Sequence, residues 1–218
     1  DYNASKGRFW SAAPEWLAQA KPTSDGGNSL LLSFIQEIDM CIDKTLSRLK
    51  DGYQIDAFLW HQGESDYAKS KDYYRNLKTM VAYVRMHLTE KTGKDYSRLP
   101  FIFGTVARSN KYFSREVENA MKQLAAEDPN MHLIDMSGAE LLNDRLHFTA
   151  HSAEYLGQQV YKQLEQIIKG VIVRTDELKG KRLGIIGDSY VKNHKEPVKN
   201  TWPVSYTHLR AHETLANL

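Results

Sequence analysis

Three short apolar runs, each tied to the next by a helical pattern, limit this chain more than any other feature: "QIDAFLW" at 54–60, "LPFIFGTV" at 99–106 and "MHLID" at 131–135. Short, mainly apolar stretches of this length, bounded by polar clusters, suit strands covered on both faces. Between them, Leu77, Val81, Val84 and Leu88 share one helical face that ends at Gly93, and Val117, Met121 and Leu124 share another that starts after Ser114. Strand-to-strand connections long enough to hold a helix imply parallel pairing. The expected class is therefore α/β, a parallel sheet with helices on both faces.

The flanks extend this pattern. Leu31, Phe34, Ile35, Ile38, Ile42, Leu46 and Leu49 predict a helix from Ser29 to Lys50, stopped by Asp51-Gly52, with Cys41 packing beside its stripe. Ser70 is the expected N-cap of the next helix. Leu156, Val160, Leu164 and Ile167 predict a last helix from about Ser152 to Lys169, with Gly170 just beyond its end. The opening residues, carrying Pro14, Pro22 and Gly26-Gly27, read as loop and short helix. A charged connector then leads to "RLGIIGDSY", an apolar strand running into a sharp turn.

Charge narrows the partners. The 29 Lys and Arg against 27 Asp and Glu give a net charge of +2, and neither sign gathers into a block, so neither nucleic acid nor a membrane surface is an expected partner. No run approaches the roughly 18 apolar residues of a membrane span. With Cys41 the single cysteine, an internal disulfide is excluded.

Three clusters carry reactive side chains: Trp60-His61-Gln62-Gly63-Glu64-Ser65-Asp66, Asp144-Arg145-Leu146-His147, and Gly187-Asp188-Ser189-Tyr190. The first and third follow predicted strands directly, and parallel α/β sheets bind ligands outside the carboxyl ends of their strands. Acyl transfer needs a hydroxyl nucleophile, an imidazole to take its proton, a carboxylate to fix the imidazole's tautomer, and donors aimed at the developing oxyanion. Asp144 and His147 are close enough in sequence for the carboxylate to meet the ring Nδ1. Gln62 offers a side-chain amide and Gly63 a backbone N–H, and Ser189 follows a glycine on a tight turn.

"WHQGESD" together with "DRLHF" resembles the sialate O-acetylesterase and acetylxylan esterase branch of the SGNH (GDSL-like) hydrolase superfamily. The resemblance spans roughly residues 50 to 170. It implies a flavodoxin-like three-layer α/β/α fold and serine-dependent removal of acetyl groups from carbohydrates, with no cofactor or metal. In that resemblance His147 is the general base, Asp144 its orienting carboxylate, and Gln62 with Gly63 part of the oxyanion hole. Glu64 and Asp66 brace the loop. An exported bacterial enzyme, extracellular or periplasmic and acting on O-acetylated glycans, is the corresponding expectation.

The family's nucleophilic serine lies on a first strand, in a Gly-x-Ser-Asn turn upstream of everything in this chain. The expectation is an N-terminally truncated fragment. Residues 1–170 then form the C-terminal part of one esterase domain, and 171–203 the first strand and turn of a second SGNH hydrolase domain. The remainder, 204–218, contains "VSYTHLRAHET", which resembles the translation of a transposase adaptor used in sequencing libraries and is expected to be a non-native tail. Geometry offers another route: a connector of about twelve residues reaches up to about 40 Å, so "RLGIIG" can return as the missing first strand and bring Ser189 to His147.

Two other readings stand beside the esterase. A metal-dependent hydrolase would draw on His147, His151 and the His61–Asp66 loop, although no general-base glutamate sits between the two histidines. An inactive carbohydrate-binding remnant would follow from the absent upstream serine.

Overall fold

The computed structural model describes residues 2–3, 7–21, 27–172 and 181–187. In chain order these form β1 (Tyr2–Asn3), β2 (Arg8–Phe9), α1 (Pro14–Leu17), α2 (Leu30–Lys44), β3 (Tyr53–Trp60), α3 (Tyr73–Thr92), β4 (Phe101–Gly104), α4 (Arg115–Glu127), β5 (Met131–Ile134), α5 (Ala150–Ile172) and β6 (Lys181–Gly187). β1 and β2 make a small antiparallel pair. The main sheet is parallel throughout, in the order β5-β4-β3-β6.

That order explains where the helices lie. The chain moves from β3 through β4 to β5 in one direction, then crosses back over the sheet to place β6 on the far side of β3. Right-handed crossovers put helices on one face for the first direction and on the other face for the return. The packing agrees: Phe58, Trp60, Phe101 and Phe103 lie in one core with residues of α2, α3 and α4, whereas Ala57, Leu59, Ile102 and Ile134 lie in a second core with Val160 and Leu164 of α5. Alternate strand residues thus serve opposite layers, as the pleat requires. The expected three-layer α/β/α arrangement is the observed one.

β3 departs from strict alternation at one point. Ile55 pairs with Leu183 and Phe58 with Ile185, so β3 carries one extra residue against β6. This bulge lets Ile55 and Phe58 face the same core. The Ile55 N–H is satisfied by the buried Tyr96 hydroxyl at 3.2 Å. Aromatic packing then anchors the strand's end: Trp10 meets Trp60 edge-on at 4.9 Å, and Phe58 meets Phe101 at 4.9 Å.

Helix caps follow the sequence in part. Ser29 accepts from the Leu32 N–H and Ser114 from the Val117 N–H, and Gly93 ends α3 in the left-handed region at φ 69°. α2 stops at Lys44, short of Lys50, because Thr45 leaves helical geometry at φ −124° and a 3-10 turn, Leu46–Arg48, carries the remaining apolar residues. Ser70 is not a cap; it lies inside a 3-10 stretch, Glu64–Asp72, kinked at Lys69, and α3 begins only at Tyr73. Gly170 does not stop α5, which continues to Ile172; one glycine costs a helix only about 1 kcal/mol. Cys41 is exposed, because the buried stripe of α2 runs through Leu31, Ile35, Ile38 and Ile42 and leaves it to one side.

Among the described residues Lys181–Gly187 form the outermost strand of this same sheet beside β3, while the residues from 188 onward, with the expected tail, lie outside the described residues. Among the described residues no helix is long and apolar enough to cross a membrane.

The core against α5 is the smaller of the two and has few side chains to relax into a void. Leu164→Ala, at a position 1% exposed, is expected to lower unfolding free energy by about 3 kcal/mol in chemical denaturation.

Candidate active site

Three loops leave the carboxyl ends of β3, β4 and β5, and their contacts assemble the site. The loop after β5 is a tight turn built around Asp144. Its Oδ1 accepts from the backbone N–H of Leu146 at 2.9 Å and of His147 at 3.1 Å, and its Oδ2 meets the His147 ring Nδ1 in a short contact. The Leu142 N–H donates to the His147 carbonyl at 2.8 Å, closing the turn. Arg145 sits at φ +56° to allow this, a left-handed geometry costing a non-glycine residue roughly 1–2 kcal/mol that the Asp144 hydrogen bonds offset. The backbone N–H groups of His147 and Leu146 first, and the imidazole after them, draw the Asp144 carboxyl from the ordinary 3.8 to about 2.

The loop after β3 is braced by its own carboxylates. The Gln62 amide donates to Asp66 Oδ2 at 2.7 Å, both side chains being buried, and the Tyr73 hydroxyl donates to the Gln62 carbonyl at 2.9 Å. Burial opposes the charge on Glu64, yet hydrogen bonding from His61 and from the backbone N–H groups of Glu64 and Gly63 holds its carboxyl below the ordinary 4.5. His61 Nε2 lies 3.6 Å from Glu64 Oε1. Asp66 is fully buried, and together with Glu64 it pushes the Tyr73 phenol further above its ordinary value, burial being the larger cause. Gly63 lies against α4 so closely that a Cβ there would stand 2.8 Å from Val106 Cγ2, 3.0 Å from Met121 Cε and 3.1 Å from Val117 Cγ1.

A ring contact joins the two loops. Phe148, next after His147, packs on the His61 ring with centroids 4.8 Å apart. Gly104 at the end of β4 makes room for it, since a Cβ there would meet His61 Nδ1 at 2.8 Å. The loop after β4 supplies the third support: the buried Asn110 amide donates to the Leu146 carbonyl at 3.2 Å, and the Lys111 N–H to the Arg145 carbonyl at 3.0 Å.

Asp144 and His147 are thus brought together, as are Gln62 and Asp66, and Phe148 ties the pairs to one another. Ser189 lies outside the described residues; β6 ends at Gly187, whose register partner is Trp60, the residue before His61. His151 is exposed in the first turn of α5. Among the described residues no three His, Cys, Asp or Glu side chains converge as a metal site. Phe148, Asn110 and Gly104 were not legible as site residues: Phe148 had only its place beside His147 as a signal, and the other two act through contacts distant in sequence.

Two outcomes are expected. Gly63→Ala forces its methyl group into Val106, Val117 and Met121 and should cost about 1–3 kcal/mol of stability on overpacking grounds, with a displaced His61–Glu64 loop visible as shifted His61 ring signals in NMR. The folded Asp144 carboxyl, at about 2, lies below the roughly 3.9 of an unfolded aspartate, so its hydrogen bonds stabilise the turn fully above about pH 4 and lose that contribution as pH falls toward 2. A carboxyl-carbon titration should place its midpoint near 2; a midpoint near 4 would mean that the turn is not formed.

Comparison with known proteins gives this geometry a family. A probable carbohydrate esterase of Arabidopsis thaliana is 29% identical over 119 residues, which cover 53% of this chain and 42% of that protein. An X-ray structure of that same Arabidopsis thaliana protein aligns with a TM-score of 0.49 and 26% identity over 60% of this chain and 51% of that one. The chain therefore spans about half the length of this relative. A model of the family described as "Carbohydrate esterase, sialic acid-specific acetylesterase" matches residues 22–166 and gives no support to a second unit from residue 171. The match takes in both the His61–Asp66 loop and the Asp144–His147 turn, and covers more than half of the chain: the chain belongs to this carbohydrate esterase family.

Proposed function

We propose that this chain carries the machinery for hydrolysing acetyl esters on carbohydrates by a serine mechanism. The observation that supports it most is the Asp144–His147 pairing, held by three backbone hydrogen bonds at the carboxyl edge of a parallel sheet. With Nδ1 against the carboxylate, Nε2 is the ring atom that exchanges protons with the reacting groups.

Ser189 is the nucleophile in this reading. What supports this choice is that β6 runs parallel to β3 and that Gly187, two residues before Ser189 in sequence, pairs with Trp60. That is the order of a permuted triad, base before nucleophile in the chain, and triads are defined by geometry rather than by sequence order. Ser189 Oγ adds to the acetyl carbonyl while His147 takes its proton. The oxyanion so formed accepts from the Gln62 amide and the Gly63 N–H, which exchange their present contacts with Asp66 and Glu64 for it. The C–O bond to the sugar then breaks, His147 returns the proton to the leaving alcohol, and an acetyl-serine remains. Water, deprotonated by His147, adds to that ester, and acetate leaves as Ser189 recovers its proton.

Glu64 and Asp66 hold the loop between turnovers and do not react. The mechanism asks for no metal or cofactor. Sialic acid, named in the family's description, and acetylated xylan are the sugars to which the reading extends, and such substrates fit an extracellular or periplasmic enzyme.

Labelling by phenylmethylsulfonyl fluoride with peptide mass analysis tests the assignment. Ser189 should be modified, and His147→Ala should abolish the modification. Asp144→Asn, which leaves the ring in the wrong tautomer, should lower kcat on an acetyl ester by on the order of 10⁴. Modification at another serine, or labelling of Ser189 that is indifferent to His147, would contradict the permuted triad.

A further inference from the structure

Tyr67 and Tyr112 form a ring pair that the catalytic reading does not use. Their centroids are 4.9 Å apart at an interplanar angle of 28°. Tyr67 is 49% exposed, which makes it one of the few large apolar side chains on the described surface. The Lys111 ammonium lies over the Tyr112 ring at 5.2 Å. Neither tyrosine belongs to either core, so packing of the fold does not account for a stacked pair left half in solvent.

The pair is coupled to the proposed site by side chains already described. Tyr67 rides on the 3-10 stretch that follows Gln62 and Gly63. Asn110 receives the Tyr112 N–H on its Oδ1 at 2.9 Å and donates through its Nδ2 to the Leu146 carbonyl at 3.2 Å, one residue before His147. One buried side chain thus fixes both the ring pair and the turn that presents the imidazole.

We propose that the Tyr67–Tyr112 pair is a stacking platform for the pyranose ring of the glycan whose acetyl group reaches His147. This deepens the esterase reading and rests on it. A pyranose presents a face of C–H groups edged by hydroxyls, and a tyrosine presents an apolar ring edged by a hydroxyl, so the two stack without stranding polar groups. The preformed pairing with Tyr112 restricts Tyr67 before the sugar arrives, which lowers the entropic cost of binding. Because the ring rather than the hydroxyl makes the contact, Tyr67→Phe should preserve it.

The test has a binding arm and a turnover arm. In the first, saturation-transfer NMR is run on the full chain with xylotriose, N-acetylneuraminic acid and, as a stacking control, adenosine. Signals from at least one sugar should fall severalfold in Tyr67→Ala and persist in Tyr67→Phe. In the second, the ratio of kcat/KM for acetylated xylotriose or O-acetylated sialic acid to that for para-nitrophenyl acetate should fall about fivefold in Tyr67→Ala and hold in Tyr67→Phe. Sugar signals indifferent to Tyr67, equal losses in both variants, or Tyr67-dependent signals from adenosine alone would overturn the platform. Tyr67-dependent sugar binding in a protein that hydrolyses no acetyl ester would instead overturn the esterase reading and leave the platform standing.

Discussion

The carboxylate of Asp144 carries more of this site than any other group. One of its oxygens takes two backbone N–H groups of its own turn and the other takes the imidazole. The same three contacts therefore bend the chain and orient the ring. The turn holds Arg145 in a left-handed conformation that an isolated peptide would avoid, and it does so beside solvent, where both side chains are about two-fifths exposed. Electrostatic strength there comes from the number of hydrogen bonds rather than from burial. The low carboxyl value follows from the same count.

The sheet supplies the frame on which that turn is useful. The chain reverses direction after β5 and returns β6 to the far side of β3, so the loop after β3 opens next to β6 at the carboxyl edge, where parallel α/β sheets bind ligands. Small residues decide how closely the loops approach. Gly63 lets one loop lie against α4, and Gly104 lets the His61 ring sit over the end of β4 with Phe148 upon it. The His61–Asp66 loop and the Asp144–His147 turn thus become one assembly through ring contact, and Asn110 adds the loop after β4 to it.

Much of this was legible from residue order. The mainly apolar runs around Phe58, Phe101 and Leu133 were legible as strands because a buried parallel strand faces a helix layer on each side, and runs this short alternating with helical patterns fit strands better than helices. Ser29, Gly93 and Ser114 mark helix ends through local hydrogen bonds or backbone geometry, which are properties of a few adjacent residues. The Asp144–His147 pairing was legible for the same reason. What was not legible depends on contacts far apart in sequence: the bulge at Ile55 answers to β6 and Tyr96, the close approach at Gly63 answers to Val106, Val117 and Met121, and Gly104 answers to His61. Lys44 ends α2 where apolar spacing alone would have continued it, since Leu46 stays buried in a 3-10 turn and keeps the pattern without the helix.

The state of the His147 ring decides the account. Nitrogen-15 NMR of the imidazole should show the ring proton on Nδ1, strongly downfield through its bond to Asp144, and should lose that signal in Asp144→Ala. A proton resident on Nε2, or an Nδ1 proton that does not respond to removal of Asp144, would contradict the proposal that this turn is built to present a base.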